Sequence, residues 1–153
     1  MIKEIFDPDE RAQIVAEVLT DLPDWFGIEE ATQAYIKQAR SLQVWAAYSK
    51  EDLQGFISLS YSSPDCAEIA CMGVKQTYHG KGVGRELLSA LETEAVQKVN
   101  VLQVKTVAPG YYVAYDKTNR FYQAMGFKQL EIFPQLWEEH IPCLILVKSL
   151  KRG

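Results

Sequence analysis

The stretch Ile69-Ala70-Cys71-Met72-Gly73-Val74, followed by Tyr78-His79-Gly80-Lys81-Gly82-Val83-Gly84-Arg85, limits the fold more than any other part of the chain. An apolar run of strand length enters a turn with glycines at 80, 82 and 84. From Gly82 onward Val83, Leu87, Leu88, Leu91, Ala95 and Val99 recur at three and four residues, the period of an amphipathic helix. Val101 to Val107 then returns to alternation and Pro109-Gly110 breaks it. One helix bracketed by the strands Ala67–Val74 and Val101–Val107 is a βαβ unit, whose strands are parallel and whose crossover is right-handed.

Such a turn is also chemically specific. Glycines let a ligand approach the backbone without Cβ obstruction and reach positive φ where needed. The helix behind them offers unpaired N–H groups and about +0.5 charge. Together they predict a nest for a phosphate group, with Lys75, Lys81 and Arg85 adding positive charge nearby. A Walker loop is excluded, because Gly82 follows Lys81 where a Ser or Thr is required. A dinucleotide fingerprint is excluded too: counting from Gly80 its last position is Arg85, and from Gly82 it is Leu87. A tight turn that uses its glycines for conformation alone is the other reading.

The remaining elements follow from the same rules. Ile2 to Phe6 reads as a short strand, and Asp7-Pro8 as the cap and first turn of a helix carrying Ile14, Val15, Val18 and Leu19 on one face. A turn-rich stretch leads into a second helix over Glu29 to Ala39. Val44–Tyr48 and Gly55–Tyr61 read as strands joined by a polar hairpin, and Ala67–Val74 follows the turn Ser62-Ser63-Pro64-Asp65. The pattern predicts a helix over Lys117–Met125 ending at Gly126, then strands over Phe127–Phe133 and Cys143–Val147. The expectation is a single α+β domain over residues 1–153, with a mostly antiparallel central sheet of about seven strands, one parallel βαβ unit and helices on both faces.

Composition removes several classes of function. With 48% hydrophobic and 24% charged residues among 153, the chain has the balance of a soluble globular domain. A net charge of -4 provides no overall field for a nucleic-acid backbone. No apolar run reaches the roughly 20 residues of a membrane helix, and the start does not read as a signal peptide. Cys66, Cys71 and Cys143 lack CxxC spacing and only His79 and His140 accompany them, so neither a disulfide framework nor a metal site is expected. The cytoplasm is the expected compartment. The apolar run Cys143-Leu144-Ile145-Leu146-Val147 is compatible with a homodimer.

Two motifs resemble one family. Val74, His79-Gly80-Lys81-Gly82-Val83-Gly84 and Leu87-Leu88 are similar to the acetyl-CoA signature of the GNAT N-acetyltransferase superfamily. Downstream, Phe121-Tyr122 followed by Gly126-Phe127 resembles that family's second hallmark. Order and spacing agree, and the resemblance covers nearly the whole chain. It departs at two places. His79 stands where the family usually has Arg or Gln, and Tyr115 stands seven residues before Tyr122 where an Asn is often found.

The resemblance implies acetyl-CoA as co-substrate and transfer of its acetyl group to an amine, small-molecule or peptide. It implies a diphosphate held by the turn, His79, Gly80, Lys81, Gly82, Val83, Gly84 and Arg85, and a pantetheine arm pairing with Met72 and Val74. A main-chain N–H near Met72 then polarises the thioester carbonyl. It implies that the Tyr122 hydroxyl lies beside the sulfur and protonates the departing thiolate. Glu68 is the candidate base, on the face shared by Met72 if strict alternation holds; an ordinary strand-edge carboxylate is the alternative. Asp24, Trp25, Phe26, Tyr111 and Tyr112 are candidates to rim the acceptor pocket, and Trp137-Glu138-Glu139-His140 reads as a loop that closes the site or joins a dimer. A non-catalytic acyl-CoA-binding module is the rival; it would keep the glycine turn without needing Tyr122.

Overall fold

The computed structural model describes residues 1–138 and 141–150. Along the chain run β1 (Ile2–Ile5), α1 (Pro8–Thr20), α2 (Glu29–Ala39), β2 (Gln43–Ser49), β3 (Asp52–Ser63) and β4 (Cys66–Val74). A 3₁₀ turn at Gln76–Tyr78 precedes α3 (Val83–Ala95), β5 (Val101–Val107), α4 (Val113–Ala124), β6 (Lys128–Glu138) and β7 (Ile141–Ser149). The strands form one sheet in the order β1-β2-β3-β4-β5-β7-β6. Every neighbouring pair is antiparallel except β4 and β5. The α+β architecture expected from the sequence is the one observed.

Each face of the sheet has its own core. On one, Leu87, Leu88, Leu91 and Ala95 of α3 pack with Tyr122 of α4 against Ile57, Leu59, Ile69, Leu102 and Val104. On the other, Ile14, Val15, Val18 and Leu19 of α1 and Ala39 of α2 cover Val44, Ala46, Phe56 and Cys71. Helix α1 starts where its cap chemistry says it should. The Asp7 carboxylate accepts from the Glu10 N–H at 2.9 Å, Pro8 opens the helix, and Asp9 and Glu10 suit the positive end of its dipole. Replacing Asp7 by Ala leaves that N–H without its cap, and a loss of about 1 kcal/mol is expected in urea melts.

Two features differ from the sequence reading. Helix α4 begins at Val113 rather than Lys117, because Gly110 at φ 92 completes the turn early and the Asp116 carboxylate accepts from the Gly110 N–H at 3.0 Å. The last hairpin is longer than expected, so Trp137 belongs to β6 and not to a loop; Glu139 and His140 lie outside the described residues. The apolar run of β7 sits between β5 and β6, with Cys143, Leu144 and Leu146 fully buried. Its hydrophobicity is largely accounted for by the core.

Two irregularities in β4 position the site. Ser58 faces Cys71 while Leu59 faces Ile69, so Ala70 is an extra residue, a β-bulge. The bulge resets alternation: Ala67, Ile69, Met72 and Val74 turn to the α3 face, and Cys71 turns to the α1–α2 face. The second irregularity is that β4 and β5 pair only at Cys66–Val101, Ala67–Leu102 and Glu68–Gln103. Beyond Glu68 the two strands part.

Candidate active site

At the C-terminal end of the parted strand β4, the turn adopts the conformation that its glycines permit. Gly80 has φ 75, and Gly82, the residue before α3, has φ 84 and ψ 3. No side chain caps the helix. Among the described residues, the main-chain N–H groups of Gly80 to Arg85 have no hydrogen-bond partner. A Cβ built on Gly80 or Gly82 meets nothing within 4 Å. Unpaired donors converging on open space, at the positive end of a helix, are the chemistry of an anion site.

Gly84 is used differently. A Cβ there would lie 3.1 Å from Phe121 Cζ and 3.2 Å from Met72 Cε, so glycine lets α3 approach β4 and α4 closely. Of the nearby cations, Arg85 lines the cleft. Lys75 is paired with Glu17 at 2.5 Å, and Lys81 reaches the Tyr78 ring, 6.0 Å from its centroid.

From this turn a cleft of about 570 Å³ runs along β4 into the gap beside β5. It is walled by Ile69 to Val74, by Val104, Lys105 and Thr106, and by Tyr115, Thr118, Phe121 and Tyr122 of α4. The edge of β4 that faces it is identifiable from the ladder. The Lys75 N–H bonds the Gln54 carbonyl of β3, so by strand alternation the main-chain groups of Val74 and Met72 point the opposite way, towards the gap. The Val74 carbonyl accepts there from the His79 ring at 2.6 Å.

Tyr122 is 6% exposed, its ring held edge-on between Phe121 and Phe127 with both centroids at 5.4 Å. Its hydroxyl has no hydrogen-bond partner among the described residues, although the residue lines the cleft. Burial, followed by the field of Cys71, pushes its pKa well above the ordinary phenol range, so at neutral pH it carries its proton. Burial likewise pushes the Cys71 thiol up to about 12. This cysteine is an inert wall of the cleft.

Glu68 is not where strict alternation puts it. The Ala70 bulge leaves it on the face opposite Met72, where its Oε1 accepts from Gln103 Nε2 at 2.7 Å and lies 3.5 Å from Lys105 Nζ. It is not among the residues lining the cleft. Of the expected rim, Trp25 and Phe26 line the cleft. Asp24 is exposed and outside it, as are Tyr111 and Tyr112, which are 57% and 48% exposed. Tyr35, Lys105, Thr106 and Tyr115 line it instead, none of them a rim candidate from the sequence, and Trp137, from the segment read as closing the site or joining a dimer, lines it too. Tyr115, standing at a departure from the family pattern, was the one visible signal.

The acetyltransferase (GNAT) domain family matches residues 40–129, more than half of the chain. No curated protein sequence matches it. Solved structures share the fold at low identity. A GNAT-family protein from Desulfovibrio desulfuricans superposes with a TM-score of 0.81 at 16% identity, over 99% of both chains. An aminoglycoside 6'-N-acetyltransferase complexed with coenzyme A gives 0.77 at 16%, over 100% of this chain and 98% of that one. The ribosomal-protein-S18-alanine N-acetyltransferase from Escherichia coli gives 0.73 at 15%, over 100% and 96%.

Proposed function

The chain belongs to the GNAT acetyltransferase family, and on that premise we propose that it transfers the acetyl group of acetyl-CoA to a primary amine by direct attack on the thioester. The observation that carries this reading is the conjunction of parted strands, unpaired amides at one end of the gap and an unbonded tyrosine hydroxyl within it. The diphosphate of acetyl-CoA sits on the N–H groups of Gly80 to Arg85, with Arg85 supplying a side-chain charge. The pantetheine arm lies along the free edge of β4 and pairs with Met72 and Val74, as a peptide adds to a sheet edge. That delivers the thioester to the gap, where a main-chain N–H near Met72 polarises its carbonyl.

The amine enters from the α1–α2 face, between Trp25, Phe26 and Tyr35. An alkylamine of pKa about 10.4 is less than about 0.1% neutral at pH 7, so it must first lose a proton. Glu68 fits that role through water: the bulge turns it to the acceptor's side of the sheet, and one carboxylate oxygen is steadied by Gln103 and Lys105. The nitrogen then bonds to the thioester carbon, the C–S bond breaks, and Tyr122 gives its proton to the leaving sulfur. The surplus N–H proton of the new amide returns to Tyr122, so one proton passes from nitrogen to sulfur overall. Thr106 Oγ1, buried and unpartnered at the gap, suits a contact to the arm or the acetyl group.

The structural relatives include enzymes named for an aminoglycoside and for a ribosomal-protein alanine, and both a small-molecule and a peptide amine fall within this proposal. No helix among the described residues is long and apolar enough to cross a membrane, and free cysteines with an acetyl-CoA substrate suit the cytoplasm. The test is free-thiol release from acetyl-CoA over a panel of small amines, amino acids and peptides. Turnover on at least one acceptor is expected. Tight acetyl-CoA binding with no turnover on any amine would leave only a binding module.

A further inference from the structure

A chain of contacts crosses the cleft from β4 to α4. At one end the Val74 carbonyl, on the unpaired edge of β4, accepts from His79 Nε2 at 2.6 Å. The His79 ring meets Trp25 edge-on, with centroids 5.6 Å apart and planes at 83°. At the other end Trp25 is fastened to α4: its indole N–H donates to the Ala114 carbonyl at 3.1 Å and to Thr118 Oγ1 at 3.0 Å, and the Tyr115 hydroxyl donates to the Trp25 carbonyl at 2.7 Å. Val74, His79, Trp25, Tyr115 and Thr118 all line the cleft.

A strand edge with an unpaired carbonyl, half buried beside an apolar gap, is costly to leave unsatisfied. His79 satisfies it with a ring N–H. Pantetheine carries two secondary amides, and an amide N–H of that arm needs the same acceptor. The ring and the arm therefore compete for one carbonyl. His79 is itself exposed, so its ring can swing away from Val74 and Trp25 into solvent.

We propose that His79 is a place-holder: it occupies the Val74 carbonyl in the free enzyme and is displaced when the acyl-CoA arm pairs with β4, which also releases its contact with Trp25. This rests on the acetyl-CoA reading above and adds a coupling to it. Entry of the acyl donor is felt by Trp25, on the segment that walls the acceptor side of the same cleft. His79 consequently lowers affinity for the donor, the reverse of what a phosphate-contacting side chain at this position does.

Calorimetric titration of the wild type and His79→Ala with acetyl-CoA, and with S-acetylpantetheine, which lacks the diphosphate and nucleotide, separates the two roles. Losing a competing hydrogen bond is expected to tighten both ligands by about 2- to 10-fold. In the wild type the donor should also change tryptophan emission, and that change should shrink in His79→Ala and in Trp25→Phe. Unchanged or weaker binding of both ligands by His79→Ala overturns the proposal. Weaker acetyl-CoA binding with unaltered S-acetylpantetheine binding also overturns it, and makes His79 a diphosphate contact. If the wild type binds neither ligand, the acetyl-CoA reading itself fails and this inference with it.

Discussion

Tyr122→Phe is expected to lower kcat by about 10²- to 10⁴-fold, the usual worth of a positioned proton donor, while the Kd for acetyl-CoA stays nearly unchanged. The substitution removes one oxygen from a ring whose packing survives. Phe121 and Phe127 hold it edge-on from both sides, and the hydroxyl has no hydrogen bond to forfeit among the described residues. Folding should be almost untouched. The raised pKa of Tyr122 looks at first unhelpful, since an ordinary thiol titrates near 8.5 and a weaker acid is a reluctant donor. Burial acts on both partners, however. A thiolate expelled into the same water-poor gap is desolvated too, and its proton affinity rises with that of the phenol. The transfer is also not left uphill, because the nitrogen that has just bonded to carbon carries a surplus proton for Tyr122 to reclaim. Steady-state thiol release together with an acetyl-CoA titration checks both halves of the expectation. Full turnover in Tyr122→Phe would remove the hydroxyl from the reaction.

The sequence exposed the parts of this site that depend on local periodicity and missed those that depend on a single inserted residue or on distant segments meeting. Strand β4, the glycine turn, α3 and β5 were legible because the hydrophobic period changes from two to three-and-four and back, and because glycine has few other reasons to recur at 80, 82 and 84. The bulge was not legible. Ala70 is small and apolar like its neighbours, and nothing local marks it as the residue without a partner. One unmarked residue is enough to reverse a strand's faces, which is why Glu68 lies opposite Met72. The acceptor wall failed for another reason. Tyr35 and Lys105 come from a helix and a strand about seventy residues apart in sequence, and only the sheet topology brings them to one cleft. The aromatic pair Tyr111-Tyr112 attracted notice by clustering alone, and the loop turns both outward. Trp25 was legible as a rim residue, but not its link to Val74 through His79, which requires the 3₁₀ turn at Gln76–Tyr78 to bring residue 79 back over residue 74.

The left-handed turn at Gly80 and Gly82 carries the second large effect. Gly82→Val is expected to weaken acetyl-CoA by about 10- to 100-fold or more, while costing the free protein only about 1–2 kcal/mol. The two losses have separate physical origins. The stability cost comes from holding an L-residue at φ 84, which glycine tolerates and a β-branched side chain does not. No steric clash with the protein adds to it, since a Cβ at this position meets nothing within 4 Å. The affinity cost comes from that same open space. The valine side chain projects into the volume that the diphosphate requires, and relaxation of the backbone away from φ 84 turns the N–H groups at the start of α3 off their common target. A hydrogen bond to a charged group contributes about 1.5–3 kcal/mol, and each 1.4 kcal/mol is tenfold in Kd, so one or two misdirected amides suffice. Gly110→Ala supplies the control: Gly110 has φ 92, and its Cβ also meets nothing within 4 Å, but it does not line the cleft. It should share the loss of stability and keep the affinity. Urea melts of both variants, paired with acetyl-CoA titrations, therefore separate strain from ligand contact. A Gly82→Val protein that melts early and still binds acetyl-CoA like the wild type would mean that the amides at the head of α3 do not hold the diphosphate.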